Sequence, residues 1–354
     1  MKINFNAGPA ALPQDVLAAA ATAVIEYDHS GMSILSISHR GSHFTAILKE
    51  ANQLVLELLG LDDSYAVMWL QGGGRLQFEM IPMNFLKEGS TAAYIDSGHW
   101  AADAMSNAPR YGNLHVAGST KASKYRTVPE VLDIPADAAY LHLTANNTIY
   151  GTQTFSFPET SVPLIADFSS ELFSRKIDYS QFSLIYAVAQ KNIGPAGVTL
   201  VVAKKDFIDR PVRDLTDILS YSAMAKNNSL INTAPVFAIY TSLLNLRWIK
   251  EKGLDLIEQE SLEKARMLYD YIDQSQLYNG VAEKSSRSRM NACFVLNREE
   301  LTKDLVAFAT ARNITGIEGH RSVGGIRVSM YNAISIADVK ELIVVLREFE
   351  QMHI

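Results

Sequence analysis

Cysteine is nearly absent: Cys293 stands alone in 354 residues, so no disulfide can form within the chain and a reducing, cytoplasmic setting is expected. Long apolar runs are missing too. The longest candidate, 16–25, falls well short of the roughly 18 residues that would suggest a membrane span. The opening MKINFNAGPAAL lacks the charged region followed by an apolar segment that marks a secretory signal. Basic residues are in deficit, 32 Lys and Arg against 38 Asp and Glu for a net charge of −6, which argues against a nucleic-acid partner. Neither a membrane nor a nucleic acid is therefore expected as partner. Internal repeats and low-complexity tracts are also lacking.

What is present is an ordinary globular composition, 48% hydrophobic and 20% charged, in a chain longer than one core comfortably serves. One large and one smaller domain are expected. After Pro13, residues 14–27 read as a helix. From about Tyr65, short apolar runs alternate with helical patterns. Strand candidates fall at 66–70, 92–96, 114–117, 139–143, 162–166, 183–189 and 197–203, with a helix from about His99 to Tyr111 and a polar loop at 119–129. Such alternation predicts a largely parallel sheet covered on both faces. From Pro235 the pattern is helical through about Gln274. Strands at 290–296 and 326–330, a helix from about Glu299, and a last helix opened by Ser335-x-x-Asp338 then predict a small α+β domain.

Chemistry concentrates at few places. In SLIYAVAQKNIGPAGVTLVVAKK, Lys191 sits where a strand leaves the core. It is either a solvated loop lysine or an amine at the mouth of a site, made nucleophilic by desolvation. Asp167, in VPLIADFSS, closes another strand candidate; strand exits of an open α/β sheet converge on one crevice, although an Asp there can equally cap a turn. The GGGRLQ segment at 72–77 suits an anion at a helix start or a tight turn, and matches neither nucleotide signature. Two His-Arg pairs, His39-Arg40 and His320-Arg321, with Arg327, suit a substrate bearing several negative charges. His39, His43 and Glu50 have the spacing for a metal, but no HExxH or cysteine set supports one, so no metal is expected. Trp100 follows a strand at a helix start, where it could stack on a planar group or fill the core.

Taken in order, NAGPAALP, GMSILSISHR, WLQGGGRLQF, IDSGHW, NNTIYG, IADFSSELFSR, IYAVAQKNIGPAGVTLV, INTAPVFAIY, SRMNACFVL and GHRSVGGIRVSMYNA resemble the phosphoserine aminotransferase family, class V members of the fold type I pyridoxal-phosphate enzymes. The resemblance runs nearly the whole chain. It implies an α/β fold with a mostly parallel seven-stranded sheet, a large cofactor domain over 14–252, and a small C-terminal domain over 253–354 joined by segment 1–13. It implies pyridoxal 5′-phosphate as cofactor and a homodimer with shared sites. The implied reaction turns 3-phosphohydroxypyruvate and L-glutamate into O-phospho-L-serine and 2-oxoglutarate, in serine biosynthesis, with a related phosphorylated hydroxythreonine of pyridoxine biosynthesis as a second product.

By resemblance, Lys191 would be the Schiff-base lysine, Asp167 the partner of the pyridine nitrogen, and Trp100 the stacking ring. Thr148 would help to hold the ring, while Gly74, Arg75 and Gln190 would meet the cofactor phosphate. Asn232 and Thr233 would reach that phosphate from the partner subunit. Arg327 would bind the substrate α-carboxylate; His39 and Arg40 of the partner subunit, with Arg75, His320 and Arg321, would hold the distal phosphate. Ala7 and Asn147 depart from the family pattern, where some members have serine and where an acid is expected. Other readings are an alanine-glyoxylate type aminotransferase, a cysteine desulfurase, or a non-catalytic anion-binding relative.

Overall fold

The computed structural model describes residues 2–354. Seven strands form the main sheet: β1 (Tyr65–Leu70), β2 (Thr91–Asp96), β3 (Asn113–Ser119), β4 (Leu141–Thr144), β5 (Leu164–Asp167), β6 (Leu184–Val188) and β7 (Thr199–Lys204), in the order β1-β7-β6-β5-β4-β2-β3. Only β7 runs against its neighbours; the contacts β6 to β5, β5 to β4, β4 to β2 and β2 to β3 are all parallel. The expected largely parallel sheet is thus present.

Period-two alternation divides the strand side chains between two apolar layers. Val67, Trp69, Leu141, Leu143, Leu164 and Ala166 pack on one face, in the layer with Ala23 of α1 (Gln14–Ile25), Ile47 and Leu48 of α2 (Ser42–Leu59) and Leu243 and Leu246 of α5 (Val236–Lys252). Met68, Leu70, Tyr94, Ile165 and Tyr186 pack on the other, against Phe78 and Ile81 of α3 (Gly73–Phe85) and Ala104 of α4 (His99–Met105). A third apolar cluster joins Phe5 to residues of α6 (Leu254–Gln274), α7 (Thr302–Ala311), α8 (Ile336–Gln351) and an antiparallel sheet of β8 (Tyr278–Gly280), β9 (Asn291–Leu296) and β10 (Ile326–Ser329). Segment 2–13 reaches it through Ile3 and Asn4, which pair in parallel with Ile314 and Thr315.

Several elements differ from expectation. The helix expected over 99–111 ends at Met105, because Pro109 has no N–H and in a continued helix its ring would clash with the Met105 carbonyl, so the chain passes on through a 3₁₀ turn at Ala108–Arg110. The helical stretch from 235 is two helices broken at Gly253 (φ 80°). Helix α2 is an addition, although Phe44, Ile47, Leu48, Ala51, Leu54 and Val55 carry helical spacing. The capping box before α8 is formed as read: Ser335 Oγ accepts from Asp338 N, and Asp338 Oδ2 accepts from Ser335 N.

Candidate active site

Five parallel strands point their carboxyl ends at one place, the crevice where an open α/β sheet binds its ligand. There a cavity of about 470 Å³ is lined by Gly72–Gly74 and Arg75 after β1, Trp100 after β2, Thr144, Asn146 and Thr148 at the end of β4, Asp167, Ser169 and Ser170 after β5, and Gln190 and Lys191 after β6. Ala7 and Gly8 of the first segment, and His320 and Arg327 of the C-terminal part, close it.

The turn that carries Lys191 is held on every side. Its backbone N–H donates to the Ala189 carbonyl (2.7 Å), and Ile193 and Gly194 donate to the same oxygen. Beside it, buried Asn192 donates to the Leu172 carbonyl and accepts from Asn332 N, while Asn245 of α5 donates to the carbonyls of Asn192 and Ile193. Gly194 lies so close to α5 that a Cβ there would sit 2.3 Å from Ser242 Oγ. Burial lowers the Lys191 amine to about 8, with the Asp167 carboxylate opposing that fall and Arg327 adding to it. Asp167 is pushed upward by burial, while Lys191, Ser169 and Tyr186 pull it back down. Its Oδ1 accepts from Ser169 N at 2.8 Å, so the turn-capping role and the cavity position coexist.

Around this pair stand an aromatic wall and cationic groups. Trp100 Nε1 donates to Thr148 Oγ1 (3.2 Å), and the Arg75 guanidinium lies 5.8 Å from the Trp100 ring centroid. Gly98 (φ 154°) leads into Trp100 against Asn147, whose Nδ2 a Cβ at Gly98 would meet at 2.0 Å. Asn147 Nδ2 donates to the Ser97 carbonyl, a bond an ionised carboxylate could not make, and this is what the amide does where an acid was expected. At Ala7 the backbone serves instead, its carbonyl accepting from Tyr331 Oη (2.9 Å). Arg327 on β10 gives one N–H to the Thr148 carbonyl (3.4 Å); its buried Nε has no partner, nor has Thr144 Oγ1. Unpaired buried polar groups facing a cavity imply an occupant with matching groups. His320 pairs Nδ1 with Ser322 Oγ (2.7 Å), and burial, then Arg327, His99 and Arg321, hold its pKa below the ordinary value.

The structure thus brings together Lys191, Asp167, Gly74, Arg75, Trp100, Thr148, Gln190, His320 and Arg327. It leaves out Arg321, which is exposed on the loop after His320, and also His39, Arg40, Asn232 and Thr233. Of these, His39 has a buried Nε2 with no partner, and Asn232 bonds the Gln71 side chain beside the glycine turn. Among the described residues no cluster of His, Cys, Asp and Glu could hold a metal ion, and no helix is long and apolar enough to cross a membrane. Thr144, Asn146, Ser169 and Ser170 were missed; their signal was position alone, at or just past a strand end. Cys293 is buried in β9 with its thiol pushed up to about 12, which leaves it inert as a nucleophile.

A titration follows from the Lys191 environment. Its amine is protonated below about pH 8 and free above, so reductive modification of the chain by a small aldehyde will rise at Lys191 through a midpoint near pH 8. A lysine free in water titrates at about 10.4. Peptide mass analysis across pH separates the two, and a Lys191 midpoint with the exposed group would contradict the assigned burial.

Comparison with known proteins gives a consistent set of relatives. The family model described as aminotransferase class-V matches residues 3–342. The chain is 46% identical to a phosphoserine aminotransferase of Flavobacterium psychrophilum over 351 residues, 99% of each chain, and 46% identical to one of Bacillus subtilis, 98% of each. Among solved structures, a phosphoserine aminotransferase from Bacillus circulans subsp. alkalophilus superposes with a TM-score of 0.97 at 46% identity, covering 99% of both chains. A PLP-bound phosphoserine aminotransferase from Trichomonas vaginalis gives 0.94 at 34% identity, over 98% of this chain and all of that one.

Proposed function

Because the chain belongs to the class-V aminotransferases, we propose that it moves the amino group of L-glutamate to 3-phosphohydroxypyruvate, giving 2-oxoglutarate and O-phospho-L-serine, with pyridoxal 5′-phosphate as cofactor. The observation that carries this reading is a half-buried Lys191 and a buried Asp167 in one cavity that also holds an arginine with an unpartnered Nε. The residues fit the cofactor. A desolvated amine suits an aldehyde, a buried carboxylate needs a cationic partner such as a protonated ring nitrogen, and the N-terminus of α3 offers free N–H groups to a phosphate.

When bound, pyridoxal phosphate supplies an aldehyde for amines and a ring that takes up the electron pair freed at the substrate Cα. Lys191 would move a proton between the substrate Cα and the cofactor carbon that carries the aldehyde, away from Cα in the glutamate half-reaction and onto Cα in the keto-acid half-reaction, a role suited to an amine tuned to about 8. Asp167 would hold the proton at the ring nitrogen. Trp100 would stack on the ring and Thr148 would help to hold it, while Gly74, Arg75 and Gln190 would hold the phosphate. Arg327 orients the substrate through its α-carboxylate by paired N–H bonds. Glutamate's distal carboxylate and the keto acid's phosphate share one cationic pocket, built from Arg75, His320 and Arg321 with His39 and Arg40 from a second copy of the chain.

That second copy also brings Asn232 and Thr233 to the cofactor phosphate, so the working unit is a homodimer in the cytoplasm. Residues 14–252 form the cofactor domain and 253–354, with 1–13, the small domain; the apolar cluster of Phe5 with residues from 265 to 349 supports that division. The phosphorylated hydroxythreonine of pyridoxine biosynthesis differs by one carbon, a step worth about 1 to 3 kcal/mol in a pocket, and is a second product of the same site.

The test separates the distal phosphate from the rest of the substrate. Arg321→Ala is expected to cost about tenfold in kcat/KM for 3-phosphohydroxypyruvate, the size of one charge-assisted contact at an exposed site, and to leave phosphate-free pyruvate nearly unchanged. Equal losses for the two keto acids would refute the phosphate pocket.

A further inference from the structure

Beneath Asp167 lie two buried polar side chains for which the proposed reaction has assigned no work. The parallel register sets Thr144 beside Asp167 and Asp167 beside Tyr186, so these three share a sheet face, and His142, two residues before Thr144, shares it as well. Tyr186 and His142 are each 1% exposed. Tyr186 stands beside Asp167 in the register, its hydroxyl helping to pull the Asp167 carboxyl down, and that hydroxyl lies 3.0 Å from His142 Nε2. The second imidazole nitrogen, Nδ1, is buried and has no partner.

Counting protons fixes the direction of this chain. A tyrosine hydroxyl has one proton, and an ionised carboxylate has none to give. If His142 carried its proton on Nδ1, a buried N–H would be orphaned and the Tyr186 proton would be drawn to Nε2, leaving two acceptor oxygens face to face at Asp167. With the proton on Nε2, imidazole donates to the tyrosine oxygen and tyrosine donates to the carboxylate. The only unmet group is then a lone pair at Nδ1, the milder defect. A doubly protonated imidazole is excluded by its surroundings. The Tyr94 ring lies 5.0 Å from His142, with its hydroxyl engaged by Tyr140; Tyr221 gives its hydroxyl to Gln77; Ser169 N donates to Asp167, and Lys191 acts on the same carboxyl. None of these is an anion that could pair with His142, and burial drives its pKa down to about 3.

We propose that His142 and Tyr186 are positioning residues whose one-way hydrogen-bond chain, Nε2–H to Oη and O–H to carboxylate, keeps Asp167 ionised beneath the cofactor ring. This rests on the role given above to Asp167. Burial alone would favour the neutral acid, which could not hold a proton on the ring nitrogen; two aligned donors in a dry interior counter it. The histidine is suited to the end of such a chain because it donates without ever becoming charged.

Tyr186→Phe keeps the ring packing and removes the hydroxyl. In the full-length chain without cofactor, the Asp167 carboxyl, followed by carbon-13 NMR and assigned with Asp167→Asn, is expected to titrate about one pH unit higher in Tyr186→Phe. His142→Leu should move it the same way by less, and His142→Gln, which retains a donor, should leave the midpoint in place. In the holoenzyme, nitrogen-15 spectra should report His142 with its proton on Nε2 from pH 5 to 9, and the acidic limb of kcat should rise in Tyr186→Phe. An unmoved carboxyl titration, or a proton on Nδ1, would overturn the proposal and leave the pair as packing. Full turnover by Asp167→Asn would instead defeat the assigned role of Asp167, an outcome the carboxyl titration tells apart.

Discussion

Lys191→Ala will take up pyridoxal phosphate and fail to turn over. Cofactor retention is expected because the groups that would hold the phosphate and the ring, Gly74, Arg75, Gln190, Trp100 and Thr148, line the cavity independently of the lysine. The turn around residue 191 is fixed by backbone bonds to Ala189 and by Asn192, Asn245 and Asn332, so the substitution leaves the fold in place. The loss falls on proton transfer at Cα, because no other side chain in the cavity offers a desolvated amine. General acid–base transfer is worth on the order of 10²–10⁴-fold, and kcat should drop by at least the upper part of that range. A small amine added to the variant can enter a cavity of this size and should restore part of the rate. Residual turnover within about tenfold of the parent would remove Lys191 from the chemistry.

The second large effect belongs to Asp167→Asn. The amide matches the carboxylate in shape and can still accept from Ser169 N, so the protein should fold as before. Thermal stability should hold or rise, since burial disfavours the charged form at this position. What would disappear is the negative charge proposed to pair with the ring nitrogen. Removing one preorganised electrostatic partner of a transition state costs about 10²–10³-fold in kcat, and a loss of that size is expected with KM for glutamate little changed. A loss confined to KM would mean that Asp167 shapes the pocket without stabilising charge.

The strand pattern, and with it the place of Lys191 and Asp167, is legible along the chain because apolar runs bounded by turns mark the exits of buried strands. Arg327 is legible for a similar reason, as an arginine inside a strand pattern. Other parts are silent. His142 and Tyr186 sit within apolar runs, where a lone histidine and a tyrosine look like core; their link to Asp167 needs the register of three strands, which the chain does not spell out. The end of α4 at Met105 turns on a single proline overriding a helical pattern. Asn147 reads as a departure in one dimension, whereas in the fold its amide donates to the Ser97 carbonyl, where a carboxylate would repel. His39, Arg40, Asn232 and Thr233 belong to a reading in which two chains share a site, and spacing along one chain carries no information about a neighbour.

On this reading the cavity passes an amino group from glutamate to a phosphorylated keto acid, with pyridoxal phosphate held at Lys191. The most direct test is the visible absorbance of the purified, cofactor-loaded protein in one cuvette. A yellow band is expected that bleaches on adding L-glutamate and returns on adding 3-phosphohydroxypyruvate. A protein that takes up no pyridoxal phosphate, a band indifferent to glutamate, or a band restored better by a keto acid without phosphate would contradict it.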